Sequence, residues 1–425
     1  MTATLTLLHT GDAGYDEART VWNAMVDRRP AVIARCSSTA EVAAAVRYAR
    51  ANDLEIAVRC GGHNIAGLAV PEGGLMIDLT PMGEVEVDPD AKLARVQGGA
   101  MLGELDREAQ KYGLATTAGN VSHTGVGGLT LGGGMGWLAR QFGLACDNVT
   151  SYELVTAEGD VVRASATENQ ELFWGLRGGG GNFGIVTEFE FRLHQIGTRA
   201  IVADLTYPID EAFSVLRAWR DLNATAPRQA TFKAYVNGDQ VTLGFVWIGP
   251  GDPDALLEAF RGLGTVTAET VEEMSYLTLQ TREDNVQGHR FRRYWKGHYF
   301  KAFPDDAIRA LIRNPGIGAS LQAYGGAIRD VPDEETAFSH RDTQFEFVTA
   351  TRWEDPAEDE ERISTLRAYA ATLEQYAGGA YLNTMNGENV KRAFSPAKLA
   401  RLTALKTTWD PANVFHLNQN IKPAE

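Results

Sequence analysis

Arg59-Cys60-Gly61-Gly62-His63-Asn64 is the stretch on which the reading of this chain turns. It follows Leu54-Glu55-Ile56-Ala57-Val58, an apolar run that predicts a buried strand ending in a tight, glycine-bent loop. Adjacent glycines put no Cβ in the way of a guest and reach φ > 0 readily, so successive backbone N–H groups can turn toward one anion. Arg59 adds a positive charge beside that nest, and His63 sets a nucleophilic imidazole directly after it. A loop that grips a pyrophosphate and also presents a nucleophile points to a cofactor held by both non-covalent and covalent bonds.

The rest of the chain sets the bounds. Its 425 residues, 44% apolar and 22% charged, can bury more than one core, and about two domains are expected. Forty basic residues against 55 acidic ones give a net charge of −15, which disfavours nucleic acid and anionic membrane surfaces as partners. No apolar run approaches the ~20 residues of a membrane span. Met1-Thr2-Ala3-Thr4-Leu5 lacks the basic start and apolar centre of a secretory leader. Cys36, Cys60 and Cys146 fit neither a disulfide framework nor a zinc site, so no metal and a reducing cytoplasm are expected.

Residues 31–195 alternate short apolar runs with helical stretches. Ala31-Val32-Ile33-Ala34 predicts a strand, and Ser38-Thr39-Ala40-Glu41 a helix start with Ser38 or Thr39 as cap. Strands are also expected at Gly74–Leu79 and Ala94–Gln97, and a helix from Leu102 to Tyr112. Glycine is dense from Gly119 to Gly136 and from Gly178 to Gly184, interleaved with Leu, Val, Phe and Trp, which favours ordered loops over linkers. After about residue 197 the pattern changes. Thr231–Val236 and Val241–Trp247 flank Asn237-Gly238-Asp239-Gln240, a hairpin signal, and Phe345–Thr351 predicts another strand. Helices are expected near 253–263, 303–313 and 357–377. The second domain therefore reads as an antiparallel sheet with helices on one face. The tail, with Asp410-Pro411-Ala412-Asn413-Val414-Phe415 and Asn418-Gln419-Asn420-Ile421, is too apolar for a loose end and is expected to pack on the first domain.

A nicotinamide-binding fold needs G-x-G-x-x-G between a strand and a helix, and the glycine clusters here do not fit that spacing. They suit a long cofactor lying across several loops. The RCGGHN loop, Gly119-Asn120-Val121-Ser122-His123-Thr124-Gly125-Val126-Gly127-Gly128-Leu129, Leu131-Gly132-Gly133-Gly134-Met135-Gly136-Trp137 and Leu172–Thr187 stand in that order, followed by the two tail motifs. In that order they closely resemble the vanillyl-alcohol-oxidase superfamily, specifically its berberine-bridge-enzyme-like branch, over nearly the whole chain.

The resemblance implies an α+β fold: a PCMH-type FAD-binding domain, residues 1–196 completed by 386–425, and a substrate domain, 197–385. His63 matches the histidine bonded to the flavin 8α-methyl. The position of a second, cysteinyl bond in many members is Val121, so one covalent bond is expected. Cofactor contacts are expected from Arg59, Cys60, Gly61, Gly62, His63, Asn64 and Gly67 in the first loop, and from Gly119, Ser122, His123, Thr124, Gly127 and Gly128 in the second. Gly132, Gly134 and Gly136, then Gly184, Ile185 and Val186, then Asn418 and Asn420 complete the expected set. Thr124 falls at the gate beside the flavin's oxygen-reactive edge. The expected activity is that of an oxidase: hydride leaves a C–OH or C–N carbon for flavin N5, and O₂ reoxidises the flavin to give H₂O₂.

Such chemistry needs a base for the O–H or N–H proton. In Gln344-Phe345-Glu346-Phe347-Val348-Thr349, alternation puts Glu346 and Gln344 on one face and the two phenylalanines on the other. A carboxylate buried in such a strand has a raised pKa, and the family's glutamate base lies on the same strand. Glu346 is the expected base, with Gln344 beside it. The tyrosine pair that many members carry near the C-terminus is absent, since Phe394-Ser395-Pro396-Ala397-Lys398 stands there. Lys233, Tyr235, Tyr299, Tyr324 and Tyr381 remain as pocket candidates. The basic and aromatic stretch from Arg282 to Tyr299 reads as a solvated helix or loop bordering the pocket. The substrate stays open among a sugar hydroxyl, an aromatic alcohol, a cyclic amine resembling hydroxynicotine and a natural-product intermediate. A dehydrogenase with another acceptor, a flavin-oxygenating enzyme and a non-catalytic flavin-binding protein are the alternatives.

Overall fold

The computed structural model describes residues 4–284, 290–314, 316–387 and 389–424. Residues 1–3, at the amino terminus considered above, and 285–289, inside the basic and aromatic stretch, lie outside the described residues. Four short strands open the chain: β1 (Thr6–Leu8), β2 (Val32–Arg35), β3 (Ile56–Arg59) and β4 (Leu75–Asp78). They form a sheet in the order β1-β2-β4-β3, in which β4 runs parallel to both neighbours. The crossover from β2 to β3 is the helix Thr39–Ala51. Ser38 caps it by accepting from the Glu41 N–H at 3.4 Å, and Val42, Ala45, Val46 and Ala49 form its buried stripe. Because β3 is an edge strand, the chain leaves it directly into the RCGGHN loop.

A second sheet, β5-β6-β10-β8-β9, is antiparallel throughout. It contains β5 (Val85–Asp88), β6 (Leu93–Gln97), β8 (Val149–Val155), β9 (Val161–Ser165) and β10 (Ile185–Arg192), while β7 (Leu114–Ala115) pairs with β11 (His194–Gln195). The helix Leu102–Gln110 packs against this sheet, ending two residues earlier than the expected Tyr112. Both glycine-rich stretches are ordered and tied to each other, since the Gly180 N–H donates to the Leu131 carbonyl at 2.9 Å.

The third sheet has seven strands in the order β15-β12-β14-β13-β17-β18-β16. These are β12 (Arg199–Pro208), β13 (Ala230–Asn237), β14 (Gln240–Ile248), β15 (Ala268–Ser275), β16 (Arg292–Phe300), β17 (Ala319–Ala323) and β18 (Phe345–Trp353). The turn between β13 and β14 pairs Asn237 with Gln240, and Gly238 takes the φ of +65° that the tight reversal needs. Phe232, Phe245, Phe345 and Phe347 point to one face. Trp219, Phe260, Ile308 and Tyr369 cover them there, from helices Ala212–Asn223, Asp254–Arg261, Asp305–Leu311 and Asp359–Leu373. The opposite face is left to look at the first two sheets. One expectation is corrected: Arg292–Phe300 is an edge strand rather than a solvated helix or loop, and Arg293 is only 3% exposed. Its partner β18 reaches it in full register, from Arg292 opposite Trp353 to Phe300 opposite Phe345, which overrides the mixed charge of the segment.

The tail returns to the first half. After the helix Pro396–Trp409, Asp410 accepts from the Val414 and Phe415 N–H groups, each at 2.8 Å. Phe415 and Ile421 are buried at 3% and 1% exposure in cores formed mainly by residues before 200.

Candidate active site

Where the three sheets meet, the loops enclose a cavity of about 410 Å³. One side is built by Cys60 to Asn64, which β3 delivers, together with Ile56 and Val58. Gly119, Thr124, Gly127 and Gly128 form a second wall, Gly184, Ile185 and Val186 a third, and Phe415, Asn418 and Gln419 of the tail a fourth. The facing sheet and the chain beyond it add Trp295, Tyr381, Asn383 and Thr384.

The first two loops touch. A Cβ on Gly61 would lie 2.3 Å from the Gly125 nitrogen, so no other residue lets the backbones come so close. Gly62 takes φ +65°, which turns the chain so that His63 faces the second loop. His63 Nε2 lies 2.7 Å from His123 Nδ1, and the imidazole stacks on Trp22 with centroids 4.5 Å apart at 16°. Ser122, just before His123, is held by Asp284 through its N–H at 3.1 Å and its hydroxyl at 2.5 Å.

Alternation along β3 sends Val58 and Cys60 to the cavity and Arg59 away from it. Arg59 Nη1 lies 3.5 Å from the fully buried Asp78, and Nη2 donates to the Thr20 carbonyl at 3.2 Å. Its charge therefore does not stand in the anion nest. Burial pushes the Cys60 thiol up to about 11, and its Sγ lies 3.6 Å from the Ala100 carbonyl. Asn64 turns its own loop, its Oδ1 accepting from the Ala66 N–H at 3.0 Å. Gly67, Gly132, Gly134 and Gly136 do not line the cavity. A Cβ on each would strike Val26, Asn383, Ala145 or the Ala118 carbonyl, so they serve close packing behind the walls.

On the facing sheet, Glu346 is 8% exposed and its Oε2 accepts from the Tyr324 hydroxyl at 2.8 Å. Burial pushes its carboxyl from the ordinary 4.5 up to about 7, the Tyr324 hydrogen bond opposing. The Tyr299 hydroxyl lies 3.3 Å from that of Tyr324, and burial holds both phenols well above their usual range, hence neutral. Gln344 meets Tyr324 through backbone only: its carbonyl accepts the Tyr324 N–H at 2.8 Å. The register instead sets Gln322 opposite Glu346, and Asn120 Nδ2 donates to Gln322 Oε1 at 3.0 Å across the two halves. The Tyr381 hydroxyl accepts from the Gly134 N–H and from Asn383 Nδ2, both at 2.9 Å, on the cavity wall. Lys233 is paired with Asp204 at 2.8 Å, one strand further along. Tyr235 is 54% exposed and outside the cavity lining. Trp22 and Gln322 were not singled out above, Asn120 stood there only within a glycine motif, and Trp295 only within the stretch expected to border the pocket. They reach the site by contacts between distant segments, which no local pattern encodes.

A dinucleotide fits these walls. A Cβ on Gly128 or Gly181, both on the cavity lining, would meet no protein atom within 4 Å and would instead occupy the cavity itself. The buried side-chain oxygens of Asn418 and Asn420 have no hydrogen-bond partner within the protein, as expected of groups that wait for a ligand.

The comparisons agree with this geometry. A family model described as FAD binding domain matches residues 30–165, and one described as berberine and berberine like matches residues 380–422. This chain belongs to the berberine-bridge-enzyme-like family of FAD-linked oxidoreductases. The (R)-6-hydroxynicotine oxidase of Paenarthrobacter nicotinovorans is 32% identical over 98% of this chain and 96% of its own length. The crystal structure of 6-hydroxy-D-nicotine oxidase from Arthrobacter nicotinovorans superposes with a TM-score of 0.90 at 30% identity, covering 99% of this chain and 98% of that one. Glucooligosaccharide oxidase from Acremonium strictum, described with a 6-S-cysteinyl, 8α-N1-histidyl FAD, superposes with a TM-score of 0.89 at 26% identity, covering 99% and 97%.

Proposed function

We propose that this protein is an FAD-linked oxidase whose flavin is bonded once, through His63, and whose base is Glu346. FAD supplies a two-electron acceptor. The single observation that carries the reading is the carboxyl of Glu346, buried, held by Tyr324 at 2.8 Å, and set in register with Gln322, which Asn120 of the cavity lining bonds at 3.0 Å. A group titrating near 7 takes a proton from an O–H or N–H far better than one at the ordinary 4.5. Tyr324 donates to the charged form and so orients it. Tyr299 and Tyr381 stand near that carboxyl with neutral hydroxyls, Tyr381 on the cavity wall. The substrate class is a small organic molecule with an oxidisable C–OH or C–N carbon, as the names of the relatives support. Asn120 and Gln322 meet it with amide groups beside the base.

His63 suits the covalent role because its Nε2 is engaged by His123, which directs bonding to Nδ1. That choice agrees with the N1-histidyl description of the glucooligosaccharide oxidase. Val121 lines the cavity where the resemblance sets a second, cysteinyl attachment, and valine has no nucleophile. Thr124 on the lining is the oxygen gate, and O₂ leaves as H₂O₂. Residues 1–196 with 386–425 form the cofactor-binding domain and 197–385 the substrate domain. Three free thiols support a reducing, cytoplasmic setting.

The test is rapid mixing without oxygen against a panel of sugars, aromatic alcohols and cyclic amines, followed by exposure to air. The wild type bleaches with at least one donor and releases peroxide on reoxidation. Glu346→Gln slows bleaching by about 10²- to 10⁴-fold while keeping its flavin. Equal bleaching rates in the two proteins would remove Glu346 from the mechanism.

A further inference from the structure

Trp22 and His123 both hold the His63 ring, and both lead to the same distant part of the chain. The first, Trp22, stacks on the imidazole at 4.5 Å. The Trp22 backbone N–H donates to the Gly62 carbonyl at 3.1 Å, so its main chain is also bonded to the loop the ring covers. The Trp22 ring also meets Trp295, with centroids 5.2 Å apart, and Arg293, whose guanidinium carbon sits 4.2 Å from it and whose Nη1 donates to the Trp22 carbonyl at 2.9 Å. Asn23 exchanges hydrogen bonds with the Arg293 backbone, accepting its N–H at 3.0 Å and donating to its carbonyl at 3.2 Å. The Ala24 N–H donates to the Phe291 carbonyl at 3.0 Å. Residues 22–24 are thus sewn to the start of β16. The second contact is His123, whose loop Asp284 ties down through Ser122.

We propose that Trp22 and Arg293 are positioning residues for cofactor attachment, forming with the Ser122–Asp284 tether a cross-domain clamp that aims His63 only when Asp284 and the start of β16 are docked. The inference rests on the covalent reading of His63 given above. Bond formation needs the nitrogen lone pair aimed in the ring plane at one carbon, and a freely rotating imidazole loses most of that alignment. Stacking on Trp22 fixes the tilt of the ring and the His123 contact fixes its rotation. Arg293, buried at 3% exposure, fixes Trp22. The step balances with O₂ as oxidant. The new N–C bond replaces one N–H of the imidazole and one C–H of the methyl group. Both hydrogens leave as protons, and the two electrons reduce O₂ to H₂O₂.

The experiment uses the full chain purified from riboflavin-starved cells, mixed with FAD in air and sampled into acid. Flavin retained by the precipitate is followed over time, with non-covalent FAD affinity and thermal midpoint measured in parallel. Wild type, Trp22→Phe, Trp22→Ala, Arg293→Lys, Arg293→Met and Asp284→Asn are compared. The clamp predicts attachment at least tenfold slower in Trp22→Ala and Arg293→Met, and slower in Asp284→Asn, with FAD affinity within about threefold of wild type. Trp22→Phe keeps a ring to stack on and restores most of the rate. Attachment at the wild-type rate in both Trp22→Ala and Arg293→Met overturns the clamp, as does a slowing fully matched by lost FAD affinity. If Trp22→Ala does not fold, Arg293→Met and Arg293→Lys carry the comparison, and wild-type rates in both overturn it. A wild type that never retains flavin in acid instead removes the covalent reading of His63.

Discussion

At the scale of single residues, the proposed mechanism turns on one buried carboxyl. Glu346 titrates near 7 when folded against an ordinary 4.5, so the folded protein holds a proton that the unfolded chain releases between those values. The sign follows: its contribution to folding is complete below about pH 4 and is lost as pH rises through 7. Glu346→Gln removes that loss. In thermal melts the variant should match the wild type near pH 4 and exceed it at pH 8 by up to on the order of 3 kcal/mol. A gain of equal size at both pH values would contradict the burial argument. Turnover should run the opposite way in the wild type, rising with pH through about 7 as the base ionises. The placing of His63 on the cavity and the burial of Glu346 were legible in the sequence because each sits in a local pattern, a glycine turn and an alternating strand. Gln322 was not, since it meets Glu346 only through strand register, and its own segment Ala319–Ala323 carries no chemical signal. Arg59 was legible as a charge but not as a direction, because alternation along β3 turned it from the cavity to Asp78.

At the scale of elements, the cofactor walls are loops held by buried polar knots. Lys406 and Asp410 are both fully buried and 2.6 Å apart. Lys406 Nζ also donates to the Asn182 carbonyl at 2.8 Å and the Phe415 carbonyl at 2.9 Å, joining the C-terminal helix, the second glycine loop and the tail. Lys406→Met leaves Asp410 charged and uncompensated, at a cost of roughly 3–5 kcal/mol. Urea unfolding checks this, and FAD incorporation into the flavin-free protein should fall with it because Asn418 and Gln419 line the cavity just beyond the knot. Unchanged stability would mean that Asp410 is satisfied by the tail N–H groups alone. The hairpin at Asn237–Gln240 and the strand at Phe345 were readable from turn and alternation signals. The edge strand β15 was not: seven of its eight residues are exposed, so no apolar alternation marks it. β16 escaped for the opposite reason, its cations and aromatics being buried or half-buried beside β18, whose paired residues lie 45 to 61 positions further along the chain.

At the scale of the molecule, two halves of unlike sheet architecture face each other across one cavity, and the contacts between them converge on the reacting groups. Asn120 reaches Gln322 and Trp22 reaches Arg293. Gln280 Nε2 donates both to Asp106 Oδ2 at 2.9 Å and to the Gly119 carbonyl at 3.0 Å. A net charge of −15 on this frame favours a small, neutral or cationic substrate over a polyanion. Among the described residues no helix is long and apolar enough to cross a membrane. The order of motifs disclosed the cofactor half, because backbone cradles demand glycine at fixed places. The substrate half, built from ordinary strands and helices, disclosed its fold class but not its occupant.

The measurement that bears most directly on the account is acid precipitation of the purified protein, with flavin absorbance and in-gel fluorescence read beside His63→Ala. The account predicts flavin retained in the wild-type precipitate and released from the variant. A wild type that surrenders its flavin to acid, or a variant that keeps it, would contradict the central claim that His63 carries the cofactor.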